Sequence, residues 1–234
     1  MSNVRVSFVV ATFNGAIYVE EQLHSILAAL GEEDEVIVSD DGSSDGTIER
    51  VRAINDPRIY VVIGDVRLGY QGNFARAISA ARGRYIFFSD QDDVCLPARV
   101  PLSLEALEGA SCVCGDAVVV DQNLDVLHAS HFMQRGAKFS ALSIVMRPSV
   151  IGATLACTRA FLMRHLPFPE GVPHDMWLSF HAARIGQLAV VREPFILYRR
   201  HGTALSATGA VSKRSYLKRI RERLLLINAV FRGG

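Results

Sequence analysis

What is scarce in this chain of 234 residues narrows the field first. Net charge is scarce: 25 Lys and Arg against 24 Asp and Glu leave +1. A nucleic-acid binder would carry a marked basic excess, so that class is set aside. Cysteine is scarce too: only Cys95, Cys112, Cys114 and Cys157 occur. No second pair stands at zinc spacing, so these four read as small reduced core residues of an intracellular protein. A run of about twenty apolar residues is missing, which argues against a membrane-spanning helix. MSNVRVSFVV has no basic segment ahead of a long apolar one, so it does not read as a signal peptide, and a cytoplasmic protein is expected. No internal repeat or low-complexity linker interrupts the chain.

What is present supports a sizeable core. Half of the residues are hydrophobic, enough for one domain of ordinary to large size. VRVSFVVA, Val4 to Ala11, is β-branched and apolar, like a strand covered on both faces. Ile17, Val19, Leu23, Ile26, Leu27 and Leu30 follow at helical spacing and stop at Gly31. EVIVSD reads as a second strand, DGSSDGT as a turn, TIERVRAI as a helix, and Arg58 to Ile63 as a third strand. Gly72 or Asn73 is expected to cap a helix through Ala81, and Tyr85 to Phe88 to form a fourth strand. This alternation predicts an α/β fold with a mostly parallel, Rossmann-like sheet flanked by helices. The second half is less regular. It reads as a helix from Pro97 to about Leu107, a strand at SCVCGDAVVVD, and a weakly patterned mobile loop over 129–150. A helix capped by Thr158, a helix at HDMWLSFHAARIG, and two short strands at LAVVRE and FILYRR complete it.

Open parallel sheets bind ligands beyond the carboxyl ends of their strands. Three polar clusters fall there: Thr12-Phe13-Asn14, Asp40-Asp41-Gly42, and Asp90 to Asp93. The third sits in YIFFSDQDDVCLP, where a strand suited to burial runs straight into three carboxylates. Clustered carboxylates repel and resist desolvation, and a divalent cation is the usual compensation. Oxygen ligands on a D-x-D spacing suit Mg²⁺ or Mn²⁺, whereas the Gly and Glu of a calcium loop are missing. For an isolated D-x-D, the plainer assignment would stand: Asp93 caps the next helix and the other acids are solvated. The flanking strand and the two other rim clusters tip the balance toward a site. In VIVSDDGSSDGT, Asp45 reads as a helix cap and Asp41 as the better contact to a base.

The segments VSFVVATFNG, LHSIL, VIVSDDGSSDGT, RLGYQGNFARAISAARGRYIFFSDQDD, HDMW and YRRHG, in that order, resemble glycosyltransferase family 2 with its GT-A fold. SDQDDVCLP is most similar to the bacterial rhamnosyltransferase-like branch, which builds O-antigen and other surface polysaccharides. The resemblance covers most of Val4 to Gly202. It implies that Thr12, Phe13 and Asn14 line a nucleotide pocket and that Asp41 contacts the pyrimidine. It further implies that Asp92 ligates the metal and that Asp90 reaches the ribose or a metal-bound water. Asp175 matches the family's catalytic base, and His201 a late metal or diphosphate contact, with Arg199 or Arg200 on the diphosphate. An inverting transfer of a sugar, with rhamnose a candidate, from a dTDP- or UDP-sugar to a lipid-linked oligosaccharide or polysaccharide is implied.

Each late position has a plainer role. Asp175 also suits a helix cap, His201 a surface loop, and Trp177 the core. Asp116 and Asp121 are weaker alternatives for the base, and His174 and His181 stay unassigned. A D-x-D phosphoryl-transfer enzyme, such as an aspartyl phosphatase, fits poorly because the motif follows the fourth strand rather than the first. A nucleotidyltransferase fits poorly because the first strand lacks a Gly-rich, Arg-containing loop. A non-catalytic relative serving as scaffold or membrane adaptor remains a third reading.

The expected layout is one GT-A domain over 1–210, with a nucleotide-sugar half to 100 and an acceptor-side half beyond it. A basic amphipathic helix follows over 211–234. Leu217, Ile220, Leu224, Ile227 and Phe231 share one helical stripe, beside Lys213, Arg214, Lys218, Arg219, Arg221 and Arg223. Such a helix can lie on an anionic membrane through residues 213–232, or pack on its own domain or on a second copy in a homo-oligomer.

Overall fold

The computed structural model describes residues 4–200 and 216–232. The N-terminal half builds β1 (Val6–Thr12), α1 (Val19–Ala29), β2 (Glu35–Asp40), α2 (Thr47–Ala53), β3 (Ile59–Ile63), α3 (Gly69–Ala80) and β4 (Tyr85–Asp90). The four strands lie in the order β3-β2-β1-β4 and pair in parallel throughout. Their apolar runs are buried on both sides. Val6, Phe8 and Val10 of β1 face one core with Val19, Leu23 and Ile26 of α1, while Val9 faces a second core with Phe74 and Ile78 of α3. The register decides where the polar clusters fall. Thr12 pairs with Asp40, and Ala11 with Asp90, so three strands end together at one rim.

The second half adds β5 (Val94–Cys95), α4 (Arg99–Ala106), β6 (Cys112–Val120), β7 (Val126–His128), α5 (His131–Arg135) and α6 (Ala141–Met146). A 3-10 turn over Gly152–Thr154, β8 (Ala156–Thr158), α7 (Arg159–Arg164), α8 (His174–Arg184), β9 (Leu188–Arg199) and α9 (Tyr216–Arg232) complete the described chain. β8 runs antiparallel to β4 and β6, β9 parallel to β6, and β5 antiparallel to β9. The mostly parallel sheet therefore holds for the first four strands, and the sheet is mixed beyond them.

Several local expectations change. Residues 129–150 are not a featureless loop: α5 and α6 form there, capped by the hydroxyls of Ser130 and Ser140. Both helices are too short for a visible hydrophobic period. LAVVRE and FILYRR join into one strand, with shifted register where Gly115 and Asp116 meet Pro194. Helix α3 starts at Gly69, where φ is +71°, four residues before Asn73. Thr158 does cap α7, accepting from the Phe161 amide. All four cysteines are free and buried, with Cys112 and Cys157 opposite one another across β6 and β8.

Helix α9 packs on its own domain. Leu226 is fully buried, with Leu225, Ala229 and Val230 packed beside it. Of the apolar stripe read from the sequence, Leu224 is 61% exposed and Ile227 44%, so these two side chains do not pack on the domain. His201, Lys213, Arg214 and the expected boundary at 210 lie outside the described residues. Among the described residues, no helix is long and apolar enough to cross a membrane.

Candidate active site

The loops after β1 and β2 are laced by short side chains. Thr12 donates from Oγ1 to Asp40 Oδ1 at 2.9 Å. Asp40 Oδ2 accepts from the amides of Gly42 and Ser43. Asn14, in the left-handed region at φ 49°, accepts on its side-chain oxygen from Ser44 N, while its own amide donates to Ser43. Asp45 takes the amides of Thr47 and Ala16, so it serves the start of α2 and the first loop at once. Thr12 and Asn14 thus shape the rim through its scaffold.

Asp41 is 3% exposed, and its two carboxylate oxygens accept the amides of Leu68 and Gly69 at 2.8 Å each. Anionic charge at the start of α3 also suits the helix dipole. Arg76 lies 3.6 Å from the same carboxylate, and the exposed Arg67 guanidinium covers the Phe13 ring at 3.7 Å. Phe13, Asp41 and Arg67 therefore form one corner, an aromatic face beside a fixed carboxylate. Arg67 opens the segment RLGYQGNFARAISAARGRYIFFSDQDD, but the sequence reading gave it no role.

The acidic loop is held to this corner by Gln91. Its Oε1 accepts from Phe13 N at 2.9 Å, and its Nε2 donates to Phe13 O at 3.1 Å, as a neighbouring strand would. A Cβ on Gly15 would land on the Gln91 amide, so glycine there makes the clamp possible. Gln91 is the middle letter of the D-x-D, and nothing in the sequence distinguishes it from a solvated spacer.

The carboxylates do converge. Asp90 is half-buried, and its pKa is pushed up to about 7 by burial and by the charges of Asp92 and Asp175. Burial and both neighbouring acids push Asp93 up as well. Arg99, with no exposed surface, is the buried cation that opposes both shifts. Asp93 does not cap α4: its Oδ1 accepts from Arg199 N at 3.0 Å, and its Oδ2 has no hydrogen-bond partner among the described residues. Asp175 opens α8, where its Oδ1 accepts from Met176 N at 2.8 Å. It is both a helix-start residue and a member of the acidic cluster. Gly152 gives it room: a Cβ there would lie 2.7 Å from His174 Nε2 and 3.6 Å from Asp175 Cβ.

Arg199 performs a task different from the expected diphosphate contact. Only 4% exposed, it donates from Nε to Asp92 O at 2.8 Å and from Nη1 to Gln122 O at 2.6 Å, and it pairs with Glu21. With its backbone amide on Asp93, Arg199 holds the acidic loop in place. Arg200 follows it and donates its amide to Val120 O. Asp116 is spent on the amides of Ala117 and Phe132, and Asp121 on its own turn. Trp177 is a core residue whose indole N–H donates to His165 O at 2.9 Å. His174 lies 5% exposed among the rings of Phe74, Phe88, Phe168 and Tyr70.

The family model "Glycosyl transferase family 2" matches residues 7–167, more than half of the chain and all three rim clusters. The chain belongs to glycosyltransferase family 2. Succinoglycan biosynthesis protein ExoO of Rhizobium meliloti is 40% identical over 122 residues, 52% of this chain and 34% of that protein. The chain thus spans about a third of that relative's length. The dTDP-rhamnosyl transferase RfbG of Shigella flexneri is 26% identical over 211 residues, 82% of this chain and 71% of RfbG. Among solved structures, S. aureus TarS in complex with UDP-GlcNAc has a TM-score of 0.74 at 18% identity, covering 96% of this chain and 66% of that one. Mannosyltransferase PcManGT from Pyrobaculum calidifontis, in complex with GDP-Man and Mn²⁺, has a TM-score of 0.67 at 21% identity, covering 98% and 65%. The GT-A architecture of this family 2 member is therefore shared with nucleotide-sugar complexes of known structure.

The donor chemistry fits a hard divalent ion. Among the described residues, no three His, Cys, Asp or Glu side chains are preassembled as a cage. Mg²⁺ and Mn²⁺ sites of the D-x-D type use one or two carboxylates and leave other positions to phosphate oxygens and water. A half-buried Asp90 pushed up by burial and like charges, beside an Asp93 Oδ2 with no hydrogen-bond partner among the described residues, is the kind of acidic edge a cation would relieve.

Proposed function

We propose that this protein is a metal-dependent, inverting glycosyltransferase. In this reading it moves a sugar from a dTDP- or UDP-linked donor to a hydroxyl of a lipid-linked oligosaccharide or polysaccharide at the cytoplasmic face of a membrane. The observation that carries it is the meeting of Asp175, from the start of α8, with Asp90 and Asp92, from the end of β4, in one charge cluster. The relatives support the substrate class, since RfbG is a dTDP-rhamnosyl transferase and TarS was captured with UDP-GlcNAc.

The nucleotide would lie along the rim. Phe13 offers a ring face to the base, with Asp41 fixed at its edge, and Thr12 and Asn14 hold the loop that carries Phe13. Mn²⁺ or Mg²⁺, held by Asp92 and Asp90 with His201 as a late contact, would supply positive charge for the departing diphosphate. Arg200 is the candidate cationic contact to that diphosphate, while Arg199 acts as a positioning residue for the acidic loop. Asp175 takes the proton of the attacking hydroxyl, a contribution of roughly 10²–10⁴-fold. One base on the far face of the sugar suffices for inversion, so no covalent sugar–enzyme bond is required.

Titration calorimetry with UDP and dTDP, each with and without Mn²⁺, tests the donor half. Metal-dependent binding of one nucleotide is expected, and the absence of binding by both would sink the reading. Asp175→Asn is expected to retain that binding and to lose transfer to a polyprenyl-linked acceptor, read by mass spectrometry.

A further inference from the structure

Arginines from three elements of the second half lie near one another. Arg135 lies in the last turn of α5, Arg147 follows α6, and Arg219 lies near the start of α9. The Arg147 Nη1 sits 4.0 Å from where a Cβ on Gly136 would stand, at the foot of α5. Burial, and then the charges of Arg147 and Arg219, lower the pKa of Arg135. Among the described residues, the buried Nε of Arg135 has no hydrogen-bond partner, and neither Arg135 nor Arg147 is in an ion pair. Arg223 locks the arrangement, donating to the carbonyls of Val145 at 2.9 Å and Met146 at 2.6 Å.

The same three helices expose apolar side chains. Met133 is 83% exposed, Leu142 72%, Met146 61%, Leu224 61% and Ile227 44%. At about 100° per residue, Leu224 and Ile227 lie roughly 160° and 100° around α9 from the buried Leu226. The helix thus has an apolar face turned inward and a second turned outward.

We propose that the α5–α6–α9 face docks on an anionic phospholipid surface. Arg135 and Arg147 take headgroup phosphates, and the exposed apolar side chains of α6 and α9 enter the acyl boundary. Charge complementarity selects this occupant. A second copy of the chain in an isologous contact would set arginine against arginine. Nucleic acid would satisfy the arginines and leave the apolar rim in water. Docking also has a geometric consequence. A Cβ on Gly171 would lie 2.9 Å from Leu225 Cδ1, so α9 rests on the loop that leads into α8 and Asp175. The membrane would then lie on the flank where a lipid-linked hydroxyl has to arrive. The docking itself does not rest on the donor assignment.

Vesicle flotation of the whole chain tests it, with phosphatidylcholine alone and with added phosphatidylglycerol. Binding only to the anionic vesicles, weakened by salt, is expected. Arg135→Gln with Arg147→Gln should weaken it about thirtyfold, at roughly fivefold per arginine. Leu224→Ser with Ile227→Ser should weaken it with both arginines intact. Circular dichroism and nucleotide calorimetry should match wild type in every variant, so a failure here is separable from a failure of the donor reading. Equal binding to both vesicle types overturns the proposal. So does unchanged binding by the arginine variant, a dimer abolished by the Leu224 variant, or capture of free pyrophosphate with no vesicle binding.

Discussion

The Gln91 clamp yields a prediction with a worked magnitude. Its side-chain amide makes two hydrogen bonds to the backbone of Phe13, one to N and one to O. Each contributes about 1 kcal/mol net, so Gln91→Ala should cost about 2 kcal/mol. In a domain of this size, that lowers Tm by about 4–8 °C. Gly15→Ala should cost a similar amount by a different route. Gly15 has no positive φ, so its backbone tolerates alanine, but the new Cβ occupies the place of the Gln91 amide and expels it. The two substitutions therefore remove the same pair of bonds. In the double variant the Cβ meets empty space, and the loss should stay near 2 kcal/mol rather than reach about 4 kcal/mol. Because Phe13 carries the proposed base contact, nucleotide affinity should fall by up to about thirtyfold in all three variants. Thermal unfolding and calorimetry on the full cycle give both readouts. Additive losses in the double variant would refute a shared clamp. Unchanged nucleotide affinity would show that the clamp does not set the pocket.

Other expectations follow from single contacts. Arg199→Met leaves the Asp92 and Gln122 carbonyls and the Glu21 carboxylate without their donor, and should cost about 2–4 kcal/mol in urea unfolding, with weaker Mn²⁺-dependent nucleotide binding. Gly152→Ala drives a methyl into His174, which is walled by Phe74 and Phe88, so a cost of about 1–3 kcal/mol is expected. Its kcat should fall more than its donor affinity, because Asp175 moves with His174. Burial lowers the pKa of His131 and His181 to about 4 each, and lowers His174 as well. The unfolded chain then binds more protons than the native one between the ordinary value of about 6.5 and 4. Stability is therefore full above pH ~6.5 and falls as the pH drops toward 4, by up to about 3 kcal/mol for each of His131 and His181. Urea midpoints that stay flat over that window would contradict the neutral burial of these rings.

The parts of this molecule legible in its sequence are those governed by period and position. Parallel strands with both faces buried read as unbroken apolar runs, so β1, β2 and β4 declare themselves, and their polar ends fall together because parallel strands point their carboxyl ends to one rim. Asp90 and Asp92 are candidates by their place at the end of an apolar strand beside two other polar strand ends, not by residue type alone. What escaped depends on which partner a side chain finds across long separations. The family resemblance offered Arg199 or Arg200 to the diphosphate, yet the Arg199 guanidinium bonds carbonyls and a carboxylate that converge only when β9 lies beside β5. Gln91 and Gly15 gain their roles from a contact 76 residues apart, which no local pattern encodes. Which face of α9 packs on the domain was not legible for a related reason. The stripe through Leu224 and Ile227 is as apolar as the one through Leu226, and hydrophobic periodicity cannot rank two faces of one helix. The carbonyls at the end of α6 that grip Arg223 supply the deciding preference, and they rotate the Leu226 face inward. An apolar stripe left outside by that choice, next to arginines, is then a consequence of the packing that any account of this helix has to explain.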